Sequence, residues 1–367
     1  MILLATGGAG FIGSHFIRLV LKHRPSYKVI NLDKLTYSGN LENLNDIAQS
    51  EAGKRYFFVE GDICDAKLVA RLFSGDHAVF RRRRGLKARK SDLPISVVVH
   101  FAAESHVDRS IRDASAFFRT NVEGTRVLLE MARRHWEPRS PASNASPYRF
   151  LHVSTDEVYG SLEPQDPRFR EDSPLRPNSP YAASKAASDL AVLAYLHTYG
   201  LPALLTRCGN NYGPHQHPEK FIPLFITNAL EGRALPLYGD GMQVRDWIHV
   251  QDHCRALLLI LEQGQVGEIY NLGAGEERTN REIAELLVRK MGKSPELIRN
   301  VRDRLGHDRR YALDVTKVKD AFGWKPELSF AQGIEATIRW YESHPKWWKR
   351  LKNRAFWSYY RKVYGTI

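Results

Sequence analysis

Residues 5–13, ATGGAGFIG, sit between an apolar run and a helical pattern, and they restrict the fold more than any other stretch. Gly7, Gly10 and Gly13 are spaced G-x-x-G-x-x-G, a relative of the turn that joins strand to helix in dinucleotide-binding folds. Glycines there permit a tight turn and let a pyrophosphate reach the helix N-terminus, where free N–H groups and the dipole favour an anion. Asp33 closes a second apolar run, KVINLD, twenty residues past Gly13. An acid at that distance accepts hydrogen bonds from the adenosine ribose and repels a 2′-phosphate, so NAD is expected rather than NADP. Lys34 beside it works against that preference.

The rest of the first two thirds repeats the same alternation. MILLAT, KVINLD, RYFFVEG, ISVVVHFA, YRFLHVST and LPALLTRC are short, apolar or β-branched segments bounded by turn residues. Helical patterns such as GTRVLLEMARRH and SKAASDLAVLAYLHTYG separate most of them. The reading is an α/β fold: a doubly wound, Rossmann-like parallel sheet, with a smaller, interwoven C-terminal lobe for the substrate. The expected division is 1–211 for the dinucleotide, with returns near 239–275 through RDWIHVQDHCRALLLILEQ and GEIYNLG. A substrate lobe follows over 212–345, and a basic, aromatic tail over 346–367.

Charge raises a different possibility. The net charge is +13, concentrated in RRRRGLKARK (81–90) and in KWWKRLKNRAFWSYYRKVYG. Neither has a zinc, helix-turn-helix or RNA-motif framework around it, so the 81–92 run is read as a solvated loop insertion and no nucleic-acid partner is expected. In the tail, packing of Trp and Tyr on the protein body is favoured over contact with anionic lipid. No apolar stretch is long enough to span a membrane, and the N-terminal residues lack the pattern of a signal peptide. Cys64, Cys208 and Cys254 form neither a disulfide framework nor a metal pair. HQHPEK has metal-like spacing without a third ligand, so no metal is expected. Cytoplasm is the expected compartment.

The chemistry concentrates in two places. Tyr181 and Lys185, four residues apart in YAASK, share one helix face, where an ammonium favours the phenolate a base requires. Thr155 ends the fifth strand with a hydroxyl suited to orienting a substrate oxygen, and Asp156 and Glu157 follow at once. Simple hydride transfer needs no carboxylate pair. Lys220 and Arg245 are loop cations suited to a diphosphate, and Tyr238 and Phe221 offer flat faces for a base. Taken one at a time, each of these four is more readily a surface ion pair or a core aromatic.

TGGAGFIGS, AAESHVDRSI, STDEVYG, PYAASKAASD, NNYGPHQHPEKFIPL, VRDWIHVQDH and GHDRRYALD together resemble the extended short-chain dehydrogenase/reductase family over nearly the whole chain. Within it the likeness is to members that dehydrate dTDP-glucose, because related nucleotide-sugar epimerases typically lack the Asp-Glu pair after Thr155. The resemblance implies that NAD is lined by the glycine turn with Phe11 and Ile12, by Asp33, Lys34 and Thr36, and by Asp62 and Ile63. It adds Ala102, Ala103, Thr120 and Asn211, together with Tyr181 and Lys185. For the nucleotide sugar it implies Ser105, Thr155, Asn210, Lys220 and Phe221, then Pro236, Tyr238 and Arg245, and finally Asn280, Asp303 and His307. It implies Glu157 as base and Asp156 as acid, and a homodimer that pairs the helices after Thr120 and Tyr181. The basic run at 81–92, Leu305 where proline is common and Gly209 where serine is frequent depart from the pattern. The rivals are another NAD-dependent nucleotide-sugar enzyme, such as an epimerase or decarboxylase, and a binding protein that keeps the fold without turnover.

Overall fold

Six of the apolar segments become parallel strands: β1 (Ile2–Thr6), β2 (Lys28–Asp33), β3 (Tyr56–Glu60), β4 (Ile95–His100), β5 (Arg149–Thr155) and β6 (Ala203–Cys208). The computed structural model describes residues 1–76, 95–136, 144 and 146–365. The basic run at 81–92 and much of the Pro/Ser-rich 136–148 stretch lie outside the described residues. With the strand Ile269–Leu272 at one edge, the sheet runs Ile269–Leu272, β6, β5, β4, β1, β2, β3. The order turns back between β1 and β4, where a doubly wound sheet opens its ligand crevice at the strand C-termini. Thr6 pairs with Leu32 on one side and His100 on the other, so the loops that follow β1 and β4 start side by side.

Near-continuous apolar strands suit a sheet covered on both faces. Leu3, Leu4, Leu32, Val98 and Phe150 are fully buried. The helix Phe11–His23 buries Phe16, Ile17, Val20 and Leu21, and the helix Thr125–Trp136 buries Val127, Leu128, Met131 and Ala132. This i, i+1, i+4, i+5 spacing places one stripe of each helix in the core.

The chain divides into two compact units: 1–158, 179–208 and 254–270 form the first, and 159–178, 209–253 and 271–367 the second. In the second, Val244–His249 runs parallel to Asn210–Tyr212 and antiparallel to Glu277–Thr279. That strand therefore does not return to the main sheet, as its apolar run suggested, whereas Ile269–Leu272 does. Hydrophobic alternation identifies a strand but not its partner, and here buried Asp246 decides. Its carboxylate accepts the amides of Ala274, Gly275 and Glu276, tying the strand to the segment that enters Glu277–Thr279.

The stretch from residue 346 is built into this second unit. Trp347, Trp348, Phe356 and Tyr360 join Phe225, Leu287 and Ile338 in its core. Lys352 is buried with them, donating to Asn228 Oδ1 at 2.8 Å and Glu231 Oε2 at 2.7 Å.

Candidate active site

Where β1 ends, the chain turns on bare backbone. Gly7 has φ +71°, and a Cβ on it would lie 2.6 Å from the Ala102 backbone nitrogen. A Cβ on Gly13 would lie 2.5 Å from the Gly7 carbonyl. Gly10 precedes the helix Phe11–His23 in extended conformation without a side-chain cap, so Phe11 and Ile12 begin a first turn whose amides face outward from backbone alone. Such a cradle fits a pyrophosphate.

Asp33 secures the same turn from β2. Its Oδ2 accepts the Ala9 amide at 2.9 Å and its Oδ1 the Leu35 amide at 2.8 Å. Burial raises its pKa above the usual carboxylate value against these two amides. Each oxygen keeps a second lone pair for a ribose hydroxyl. Lys34, which the sequence set against NAD, points its ammonium at Asp62 Oδ2, 2.8 Å away. Asp62 Oδ1 also accepts the Cys64 amide. Burial would raise Asp62, but Lys34 and that amide outweigh it and leave its carboxyl below the ordinary range. Ile63 is buried against Gly124, and the Thr36 carbonyl accepts the Gly39 amide. Ala102 and Ala103 lie in the loop after β4, with the Ala102 amide on Thr6 Oγ1 at 3.3 Å.

At the end of β5 a 3₁₀ turn, Asp156–Tyr159, follows Thr155 directly. The Thr155 hydroxyl donates to Asp156 Oδ1 at 3.2 Å and accepts the Glu157 amide at 3.3 Å. Asp156 is buried and Glu157 half-buried. The helix Pro180–Tyr199 opens with Ser179 accepting the Ala182 amide at 3.1 Å and with proline at the first position, where its fixed φ suits a helix. This start brings the Tyr181 phenol to a hydrogen bond with Thr155, beside Asp156 and Glu157. Lys185, one turn on, sends its ammonium to the Val153 carbonyl at 2.9 Å. Burial brings Lys185 down to about 8, against the pull of Asp189.

The five catalytic candidates thus meet, but the expected lowering of the phenol is absent. Burial, followed by the Glu157 charge, pushes Tyr181 well above its usual value, and the Thr155 hydroxyl offsets only part. A phenolate in a dry site beside carboxylates is costly.

The sequence did not reveal what holds these pieces together. Asn121, in the π-helical segment Phe118–Gly124 that also carries Thr120, accepts the Glu104 amide at 2.8 Å and donates to the Glu104 carbonyl at 3.0 Å. It donates again to Ser184 Oγ at 2.8 Å, and Ser184 donates to the Tyr181 carbonyl. Nearby, Ser105 occupies the loop between Glu104 and His106. The one available signal was a polar residue at a core-facing position of a helical run.

The second unit gathers part of the remaining set. Tyr238 meets the His307 ring edge-on at 5.9 Å, and His307 Nδ1 lies 2.6 Å from Asp303 Oδ1. Burial, with Arg304 and Arg245 nearby, lowers His307 to about 3. Arg245 is buried, donates to the Val244 and Asp308 carbonyls and lies 4.2 Å over the Tyr311 ring. Pro236 is on the neighbouring strand Leu235–Tyr238, and Asn280 opens a helix with its amide on the Gln243 carbonyl. Lys220 precedes the helix Phe221–Leu230, whose Phe221 packs on Phe225 and Trp247. Asn210 and Asn211 form part of a short strand, where Asn211 is held by His253 Nδ1 at 2.8 Å. Gly209 has room for no more: a Cβ there would come 2.8 Å from the Asp246 carbonyl oxygen.

Comparison with known proteins shows the family of the chain. The sequence profile of the NAD dependent epimerase/dehydratase family matches residues 3–273. A dTDP-glucose 4,6-dehydratase of Xanthomonas campestris pv. campestris is 49% identical, covering 94% of each chain. One of Streptomyces niveus is 47% identical, covering 96% of each. The crystal structure of a dTDP-glucose 4,6-dehydratase from Streptomyces venezuelae with NAD bound is 50% identical, with a TM-score of 0.83, and covers 96% of this chain and 100% of that one.

Proposed function

The chain belongs to the NAD dependent epimerase/dehydratase family, and from that premise we propose that Thr155, Asp156, Glu157, Tyr181 and Lys185 carry out its reaction. Its activity is dehydration of dTDP-glucose to dTDP-4-keto-6-deoxyglucose, and NAD is its dinucleotide. When bound, NAD supplies the reversible hydride acceptor that makes the overall reaction redox-neutral.

Tyr181 removes the proton of the sugar carbon 4 hydroxyl, with Thr155 orienting that oxygen and Lys185 countering the charge that forms. The carbon 4 ketone acidifies the hydrogen on carbon 5, which Glu157 takes. Asp156 gives a proton to the carbon 6 oxygen, which departs as water. Glu157 then returns its proton to carbon 5; carbon 4 stays a ketone, and the proton that Tyr181 took passes by way of solvent to restore the one that Asp156 gave up. The two transfers at carbons 5 and 6 occur at different atoms, and one carboxylate cannot easily reach both. Support comes from burial: a charge is costlier on buried Asp156 than on half-buried Glu157, which suits the first as acid and the second as base. The contact of Thr155 with Asp156, Glu157 and Tyr181 at one strand end is the observation that carries this assignment.

We assign the first unit to NAD and the second to the nucleotide, with Arg245 and Lys220 for the diphosphate and Tyr238, Phe221 and His307 beside the nucleoside. A homodimer through the helices after Thr120 and Tyr181 is part of the proposal, supported by the exposed Phe118, Leu190 and Tyr199 on those segments. So is a cytoplasmic site. Among the described residues no helix is long and apolar enough to cross a membrane.

The test is incubation with dTDP-glucose deuterated at carbon 4. The alkali-sensitive keto product should carry the deuterium at carbon 6 without consumption of added reductant. Wash-out into solvent, or faster turnover of UDP-glucose, would contradict the reading.

A further inference from the structure

Beneath Lys185 lies a set of charged and polar groups that the reaction above does not use. Lys185 Nζ is 3.5 Å from His152 Nε2 and 2.9 Å from the Val153 carbonyl oxygen. His152 Nε2 is also 3.1 Å from Ser188 Oγ and 3.4 Å from Asp189 Oδ1. Asp189 Oδ2 in turn accepts Arg207 Nε at 2.9 Å. The His152 and Asp189 side chains are 0% exposed and that of Arg207 is 2% exposed. β5, β6 and the helix Pro180–Tyr199 therefore bury three formal charges and an imidazole.

The protons can be placed. Ser188 Oγ donates its single hydrogen to the Lys185 carbonyl at 2.7 Å, so it can only accept from His152. His152 thus carries its proton on Nε2, directed at Ser188 with Asp189 Oδ1 3.4 Å away, while among the described residues its Nδ1 has no hydrogen-bond partner. An N–H faces the Lys185 ammonium at 3.5 Å. Two donors repel, so the ammonium cannot turn back into the core and stays on the Val153 carbonyl.

We propose that His152 and Asp189, with Arg207 holding Asp189 in place, are positioning residues for Lys185: the imidazole fixes where the ammonium points, and the Asp189 carboxylate keeps it protonated. Charge accounting favours this arrangement. A lone buried ammonium sheds its proton, and only a buried anion close by prevents that. Asp189 is that anion. Arg207 keeps it ionised, and neutral His152 adds no second cation. Burial and the Lys185 charge hold His152 down at about 4. The other titratable groups acting on this cluster are His100 on β4 and Cys208 on β6, and Cys208 also acts on Tyr181. His100 is itself kept neutral by burial, between Thr6 Oγ1 and Thr125 Oγ1.

This deepens the proposed dehydration and rests on it: wild-type turnover of dTDP-glucose tests that reading alone, whereas the variants test only the positioning. The double variant Asp189→Asn/Arg207→Gln removes both members of a buried pair, a change that well-packed cores often tolerate. Its kcat/KM should fall off at lower pH than wild type, the alkaline limb moving down by roughly half a unit or more as Lys185 loses its anion. His152→Leu, which strips Asp189 of its imidazole donor, should move the limb in the same direction by less, and His152→Gln, which retains an N–H, should restore it. A limb left at its wild-type position in either folded variant, with only the melting temperature reduced, overturns the proposal and leaves the cluster structural. A limb moved equally by His152→Leu and His152→Gln overturns the part given to the imidazole N–H.

Discussion

Asn121 Nδ2 donates to Ser184 Oγ at 2.8 Å, joining a π-helical segment to the helix that carries Tyr181 and Lys185. The same amide also satisfies both backbone groups of Glu104. Asn121→Ala takes the partner from the half-buried amide and carbonyl of Glu104 and one of two hydrogen bonds from buried Ser184 Oγ. It should cost about 2–3 kcal/mol of stability and lower turnover on the order of tenfold, because the helix bearing Tyr181 loses its anchor. Chemical denaturation and initial rates on dTDP-glucose check this; unchanged rates in a destabilised variant would restrict Asn121 to the fold.

The two acids should separate by isotope exchange. Glu157→Gln is expected to lose turnover by roughly 10²–10⁴-fold and to exchange no carbon 5 hydrogen with deuterated solvent. Asp156→Asn should retain that exchange while losing water slowly. Mass spectrometry of recovered substrate distinguishes them, and swapped phenotypes would exchange the two roles.

Asp33 holds two amides of the dinucleotide turn and offers its outer lone pairs to a ribose. Asp33→Ala should weaken NAD binding about tenfold or more, since hydrogen bonds to a charged group are each worth about 1.5–3 kcal/mol. Titration of the dinucleotide followed by protein fluorescence gives the constant. In wild type, NADP should bind more weakly than NAD. Equal affinity for both would show that Asp33 does not exclude a 2′-phosphate.

Acid should unfold the chain through its buried histidines. Burial holds His152 and His249 at about 4 and His253 at about 3, below an ordinary value near 6.5. The unfolded chain therefore binds protons that the native one refuses. The stability these groups contribute is fully present above pH 6.5 and drains away as pH falls toward 4 and 3, at most about 3 kcal/mol for His152 and His249 and about 5 kcal/mol for His253. Melting temperature measured from pH 7.5 to pH 5 should drop steeply, and His253→Gln should flatten the slope. A slope unchanged in that variant would remove His253 from the account.

Much of this architecture was readable from one sequence, for reasons tied to particular residues. β1 to β6 declared themselves because strands covered on both faces are apolar throughout. The glycine turn, Asp33 and the Tyr181–Lys185 spacing were visible because each depends on residue type at short range. Val244–His249 was misplaced because its pairing rests on Asp246 meeting amides some thirty positions later. Asn121, His152 and Asp189 went unseen for a similar reason. Their partners come from other strands and helices, and a lone polar residue in an apolar run carries no sign of which group will meet it. The phenol of Tyr181 was misjudged because burial and the nearby Glu157 charge, which local spacing does not reveal, raise it.

The way the chain is threaded through its two units sets a limit on how its specificity can change. The units alternate along the sequence, with boundaries after residues 158, 178, 208, 253 and 270. No single genetic crossover can therefore transplant one unit whole from a relative, and each junction falls within a stretch that both parents must already share. On the assignment of the second unit proposed above, a change of substrate preference is expected from point substitutions, as at Tyr238 or Arg245, rather than from exchange of a unit at one crossover. A chimaera library built on one breakpoint should consequently yield few folded members, whichever breakpoint is chosen.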